Sequence, residues 1–162
     1  IHQGVAATRA AGSGVFRTYQ LTLLAEAYQA VGETEAGLAV LAEAAALVEQ
    51  TEERFWEAEI YRLTGELLLK TEGAGRSRSA VEGMQDADSP EGCFLKAIKI
   101  ARRQEAKSLE LRATVSLARL WQQQGKQDQA RRMLSDIYGW FTEGFDTIDL
   151  QQAKVLFDEL SA

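Results

Sequence analysis

The sequence predicts an all-α protein: an α–α superhelix of about three helix pairs, preceded by a partial pair and closed by one further helix. Three observations lead there. Apolar residues recur at i, i+3 and i+4 along almost the whole chain, the period of an amphipathic helix. The frame Leu24-Ala25-x-x-Tyr28-x-x-x-Gly32, Gly37-x-x-x-Leu41-x-x-Ala44 returns as Leu117-Ala118-x-x-Trp121-x-x-x-Gly125, Ala130-x-x-x-Leu134-x-x-Ile137. The 162 residues include one proline and are 26% charged, a profile that suits helices and a single domain over 1–162. A repeated helix pair buries its apolar face on the next copy, so the work of such a chain is to present a surface.

Residues 2–11 read as a short helix that stops at Gly12, the second half of a pair. Phe16 to Val31 follows, with Leu21, Leu24, Ala25 and Tyr28 on one stripe, and Gly32 supplies the turn. A helix opening at Glu33 or Thr34 continues the inward face through Leu38, Leu41, Ala44, Ala45 and Val48. Thr51 is expected to cap the next helix, with Glu52 and Glu53 in its first turn and Phe55 to Lys70 as its body. Residues 72–89, rich in Gly, Ser and charge, predict a flexible insertion. It accounts for uneven spacing, since Tyr28 and Leu68 lie 40 residues apart and Leu68 and Trp121 lie 53 apart.

Ser89-Pro90-Glu91 starts a helix whose inward stripe is Phe94, Ala97, Ile98 and Ala101. Leu109 to Gln124 and Gln127 to Tyr138 form the third pair. Thr147 to Leu160 closes the array, with Leu150, Ala153, Leu156, Phe157 and Leu160 on one side. A terminal helix of this kind covers the apolar face that an abrupt end would expose.

The formal charge of −6 disfavours nucleic acid and anionic membrane surfaces, which call for clustered Lys and Arg. The charge is uneven: residues 1–100 hold 15 acidic against 9 basic side chains, and residues 101–162 hold 9 of each. The single cysteine, Cys93, sits on an apolar helix face as a small buried hydrophobe and excludes an internal disulfide. No apolar run approaches the roughly 20 residues that span a bilayer, so a cytoplasmic protein is expected. The chain begins at Ile1, and we expect it to be part of a longer protein.

The frame Leu24-Ala25-x-x-Tyr28, Gly32, Gly37, Leu41, Ala44 resembles the tetratricopeptide repeat, and Leu117-Ala118-x-x-Trp121, Gly125, Ala130, Leu134 is its second copy. The middle copy departs from the pattern at Thr64 and Pro90. The segment Tyr138-Gly139-Trp140-Phe141-Thr142-Glu143-Gly144-Phe145-Asp146-Thr147, with Asp149-Leu150 and Ala153-Lys154, resembles the closing segment of certain bacterial multidomain regulators. In these a cyclase-like or DNA-binding domain and a P-loop ATPase module precede a tetratricopeptide array. The resemblance implies a regulatory or scaffolding role. It brings no ATPase chemistry here, because Gly73-Ala74-Gly75-Arg76-Ser77 lacks the Gly-Lys-Ser/Thr ending of a P-loop.

Mapping the repeat pattern onto the chain predicts a concave binding surface of twelve residues. They are Tyr19, Thr22, Glu26 and Gln29 from the first repeat, Glu59, Arg62, Glu66 and Leu69 from the second, and Arg112, Val115, Arg119 and Gln122 from the third. The surface grades from acidic to basic, which would select a partner of opposite grading. The plainer alternative is that Glu59, Arg62, Glu66 and Lys70 pair along one helix at about 0.2–0.5 kcal/mol per pair. Chaperone-tail binders of the resembled family clamp a carboxylate with Lys and Asn, but the matching positions here carry Thr22 and Glu26. Tyr138, Trp140, Phe141 and Phe145 are expected to join the last repeat to the closing helix as core, with a docking face as the alternative.

No catalytic constellation is visible. His2 is the only histidine and has no nucleophile placed near it by spacing, and Asp146 and Asp149 are explained as helix-start acids. No metal or cofactor is expected. The chain therefore reads as a non-catalytic protein–protein interaction or regulatory scaffold module that binds a protein or peptide, possible occupants including the upstream ATPase domain. The alternatives are a small-molecule sensor with its ligand between repeats and a self-association module forming a homodimer.

Overall fold

A computed structural model describes residues 16–73 and 89–161, and among them lie seven α-helices and no strand. They are α1 (Arg17–Val31), α2 (Thr34–Thr51), α3 (Glu57–Gly73), α4 (Pro90–Arg103), α5 (Lys107–Gln123), α6 (Gln127–Tyr138) and α7 (Ile148–Ser161). The expected helix over residues 2–11 and residues 74–88 of the expected insertion lie outside the described residues.

The repeated glycine does the same work in both copies. Gly32 beyond α1 and Gly125 beyond α5 adopt left-handed φ values of +81° and +75°, where a side chain would be strained. The N–H of Gly32 donates to Gln29 O and that of Glu33 to Tyr28 O; likewise Gly125 donates to Gln122 O and Lys126 to Trp121 O. Both turns thereby satisfy the last carbonyls of their helices while reversing the chain.

At α4 the start is set by Ser89, whose Oγ accepts the Gly92 N–H at 3.0 Å, with Pro90 in the first helical position. Ser89→Ala is expected to lower stability by about 1 kcal/mol in urea unfolding, the usual loss for a helix N-cap.

Thr51 departs from expectation. Its Oγ1 donates to Leu47 O at 2.8 Å, so it closes α2, and Glu52 follows in the left-handed region at φ 58°. Helix α3 begins only at Glu57.

Each helix packs on the next, and the odd-numbered helices also touch in series, α1 on α3, α3 on α5 and α5 on α7. Leu21, Ala25, Leu41, Ala44, Val48, Ile60, Leu63 and Leu67 fill the space between α1, α2 and α3. Phe94, Ala97, Ile98, Ala113, Leu117 and Leu120 join α4 to α5. Leu111, Ala118, Leu134, Ile137, Leu150, Ala153, Leu156 and Leu160 join α5, α6 and α7. The inward faces read from periodicity are thus the faces that are buried.

The loops after the even helices share one end of the molecule. Gln104 Nε2, after α4, donates to Arg54 O, after α2, at 2.6 Å. Lys107 Nζ at the start of α5 lies 5.8 Å from the ring centre of Trp140, after α6. At the opposite end Lys70 Nζ donates to Gln29 O at 3.0 Å, and Trp121 Nε1 donates to Glu91 Oε1 at 2.8 Å.

Candidate interaction surface

Spacing of three and four residues puts Glu59, Arg62 and Glu66 on one face of α3, and that face lies between α1 and α5. Arg62 grips Glu59 with two parallel bonds, Nε to Oε2 at 2.9 Å and Nη2 to Oε1 at 2.6 Å. Its Nη1 donates to Glu66 Oε1 at 2.5 Å. From α5, Arg112 Nη2 reaches Glu59 Oε1 at 2.9 Å and Glu26 Oε1 of α1 at 3.0 Å. Gln29 Nε2 and Ser116 Oγ each donate to Glu66 at 2.8 Å, and Asp149 Oδ1 of α7 stands 3.9 Å from Arg112 Nε. Six of the twelve residues expected on a binding wall, Glu26, Gln29, Glu59, Arg62, Glu66 and Arg112, therefore meet one another across three odd helices, and Asp149 extends the set to a fourth.

Burial decides what this network is for. Glu59 is 2% exposed and Arg62 7%, so their charges are stabilised by each other and by fork-to-fork hydrogen bonding rather than by water. Burial alone would lower the Arg62 pKa, but Glu59, Glu66 and Glu26 outweigh it and raise it. Burial would likewise raise the Glu66 carboxyl, yet Arg62, Gln29 and Ser116 hold it below the ordinary carboxylate range. The sign of the linkage follows: a depressed carboxyl contributes stability that is present above the unfolded-state pKa of about 4.3 and lost as pH falls through the lower folded value. Urea unfolding at pH 7, 4 and 3 is expected to show stability falling less steeply with acid in Glu66→Gln than in the native protein. An identical slope in both would contradict this role.

The remaining predicted residues divide. Thr22 and Val115 are buried, as are Glu59 and Arg62, because the odd helices pack directly on one another; these four present no face to a partner. That corrects the expectation of an open twelve-residue wall. Leu69 is half-buried against the Phe94 cluster, and Gln122 is half-buried on α5. Arg119 is exposed beside Ile148 and Val155 in a groove of about 440 Å³. Tyr19 is exposed and stacks on Trp56, the ring centres 4.8 Å apart.

That stack belongs to a feature the repeat pattern did not single out. Phe55 packs edge-on against Trp56 at 5.2 Å and is 67% exposed. At the same end Trp140 and Phe145 are also exposed, whereas Tyr138 and Phe141 pack against the α5–α6–α7 core. The expectation of a wholly core aromatic cluster is corrected for Trp140 and Phe145, whose loop carries them beyond the helix interface. A signal existed: Phe55-Trp56 and Trp140-Phe141 both follow an even helix, at equivalent points in the repeat.

Among the described residues no three His, Cys, Asp or Glu side chains are grouped to hold a metal ion, and no helix is long and apolar enough to cross a membrane. Cys93 is buried in α4. No protein-family model and no curated protein matches the sequence.

Proposed function

We propose that this chain is a non-catalytic protein-interaction module, a tetratricopeptide-like solenoid working as a regulatory scaffold in a bacterial cytoplasmic signalling or transcription-type ATPase. The serial contact of odd helices and the paired glycine turns support the repeat reading. The observation that carries the functional reading is the row of exposed aromatics, Tyr19, Phe55, Trp140 and Phe145, along the end formed by the loops after even helices. Aromatic side chains supply large contact area at little conformational cost and dominate binding hot spots. A partner that binds this end in only one state of the parent protein would shift its population toward that state.

The test uses the parent polypeptide and its isolated upstream ATPase domain as the probe. Phe55→Ser and Trp140→Ser are expected to leave unfolding within about 0.5 kcal/mol of native, as surface changes do. Each is expected to weaken binding of that domain by about 2 kcal/mol or more, the threshold of a hot spot. Binding and ATPase regulation untouched by both substitutions would reject the reading.

A further inference from the structure

A cleft of about 200 Å³ lies between α2 and α3, lined by Ala45, Ala46, Val48, Ile60, Tyr61 and two glutamates, Glu49 and Glu57. We infer that it is a binding site for a primary ammonium group on a short aliphatic chain, whether a free alkylamine or an accessible lysine side chain. This inference is independent of the interaction reading above.

Three observations carry it. Glu57 is 8% exposed, and its Oε2 is buried with no hydrogen-bond partner among the described residues. A buried carboxylate oxygen left unpaired is costly, and a cation arriving there recovers that loss. The local charge also fails to balance. Arg54 Nη1 lies 3.1 Å from Glu57 Oε1 and 3.2 Å from Glu49 Oε1, so one guanidinium serves two carboxylates and a single negative charge is left over. Finally, the walls are methyl and methylene groups, which suit an alkyl stem and offer a metal ion no further oxygen ligand. The Tyr61 hydroxyl is already engaged by Lys96 Nζ at 2.6 Å, leaving the two glutamates as the polar anchors. Lysine-like ligands divide in the same way, with an apolar stem and a compact charged head.

The full chain, labelled with nitrogen-15, is titrated with n-butylammonium chloride, and n-butanol and methylammonium serve as probes lacking the charge or the stem. Saturable shifts are expected in the amides of residues 45–49 and 57–61 with butylammonium, with affinity for the other two lower by at least about tenfold. Glu57→Gln is expected to lose binding by a similar factor. Arg54→Gln is expected to bind several-fold tighter because the competing guanidinium is gone. Nα-acetyl-lysine amide binding as well as butylammonium would assign the site to lysine side chains, and binding by butylammonium alone would assign it to free amines; both uphold the site. Equal response to butanol, or unchanged affinity in both variants, would overturn it.

Discussion

Arg62→Ala is expected to destabilise the protein by about 3–5 kcal/mol, the range for removing one partner of a buried ion pair. The size follows from what the guanidinium leaves behind. Glu59 would keep only Arg112, which also serves Glu26, and Glu66 would keep only the neutral donors Gln29 and Ser116. Removing Arg112 should have a smaller effect, because its side chain is 30% exposed and water can take over part of its role. The informative comparison is Arg62→Met with Glu59→Gln, which removes charge from both sides and is expected to recover much of the loss. Urea midpoints with unchanged slopes would measure it. A loss below about 1 kcal/mol for Arg62→Ala would mean the network behaves as surface pairs do.

Phe94→Ala is expected to be comparably damaging, at about 3–5 kcal/mol for truncating a fully buried aromatic. Phe94 is completely buried in α4, and the contact that sets its position is backbone to ring. A Cβ built on Gly65 of α3 would stand 2.6 Å from Phe94 Cε1 and 2.9 Å from Cδ1, closer than such atoms approach. Gly65→Ala alone should therefore cost about 1–3 kcal/mol by overpacking, despite alanine's better helix propensity. In the Phe94→Ala background the clash is gone, and the same change should become neutral or stabilising by up to about 1 kcal/mol. Additive losses in the double variant would show that the two helices do not depend on this contact.

Much of the architecture was legible because the signals were local. Gln127–Tyr138 is bounded by a turn glycine before and aromatic loop residues after, and its expected limits coincide with α6. Thr51 misled because Thr-Glu-Glu suits the start of one helix as well as the last turn of another; a hydroxyl bonded back to Leu47 O is not visible in the text. Four of the twelve residues of the candidate surface, Thr22, Glu59, Arg62 and Val115, were misplaced for a different reason. The repeat pattern did locate Glu26, Arg62 and Arg112 in neighbouring odd helices, but whether charged faces look outward or at each other depends on contacts such as that between Arg112 and Glu26, 86 positions apart. Opposite signs at corresponding places in successive odd helices were the available clue. Asp149 is the first-turn acid of α7 that the sequence suggested, and it also stands opposite Arg112, which the sequence did not show. Glu57 in the cleft had no sequence signature, because its unpaired oxygen arises from the geometry around Arg54.

Stacked-hairpin proteins commonly melt like a row of dominoes, since each unit leans only on its neighbours and the ends can peel away first. Here carboxylates and guanidiniums from α1, α3, α5 and α7 share one set of contacts. Fraying at either terminus would strip counter-charges from the middle, so the described helices should come apart together in one sharp transition.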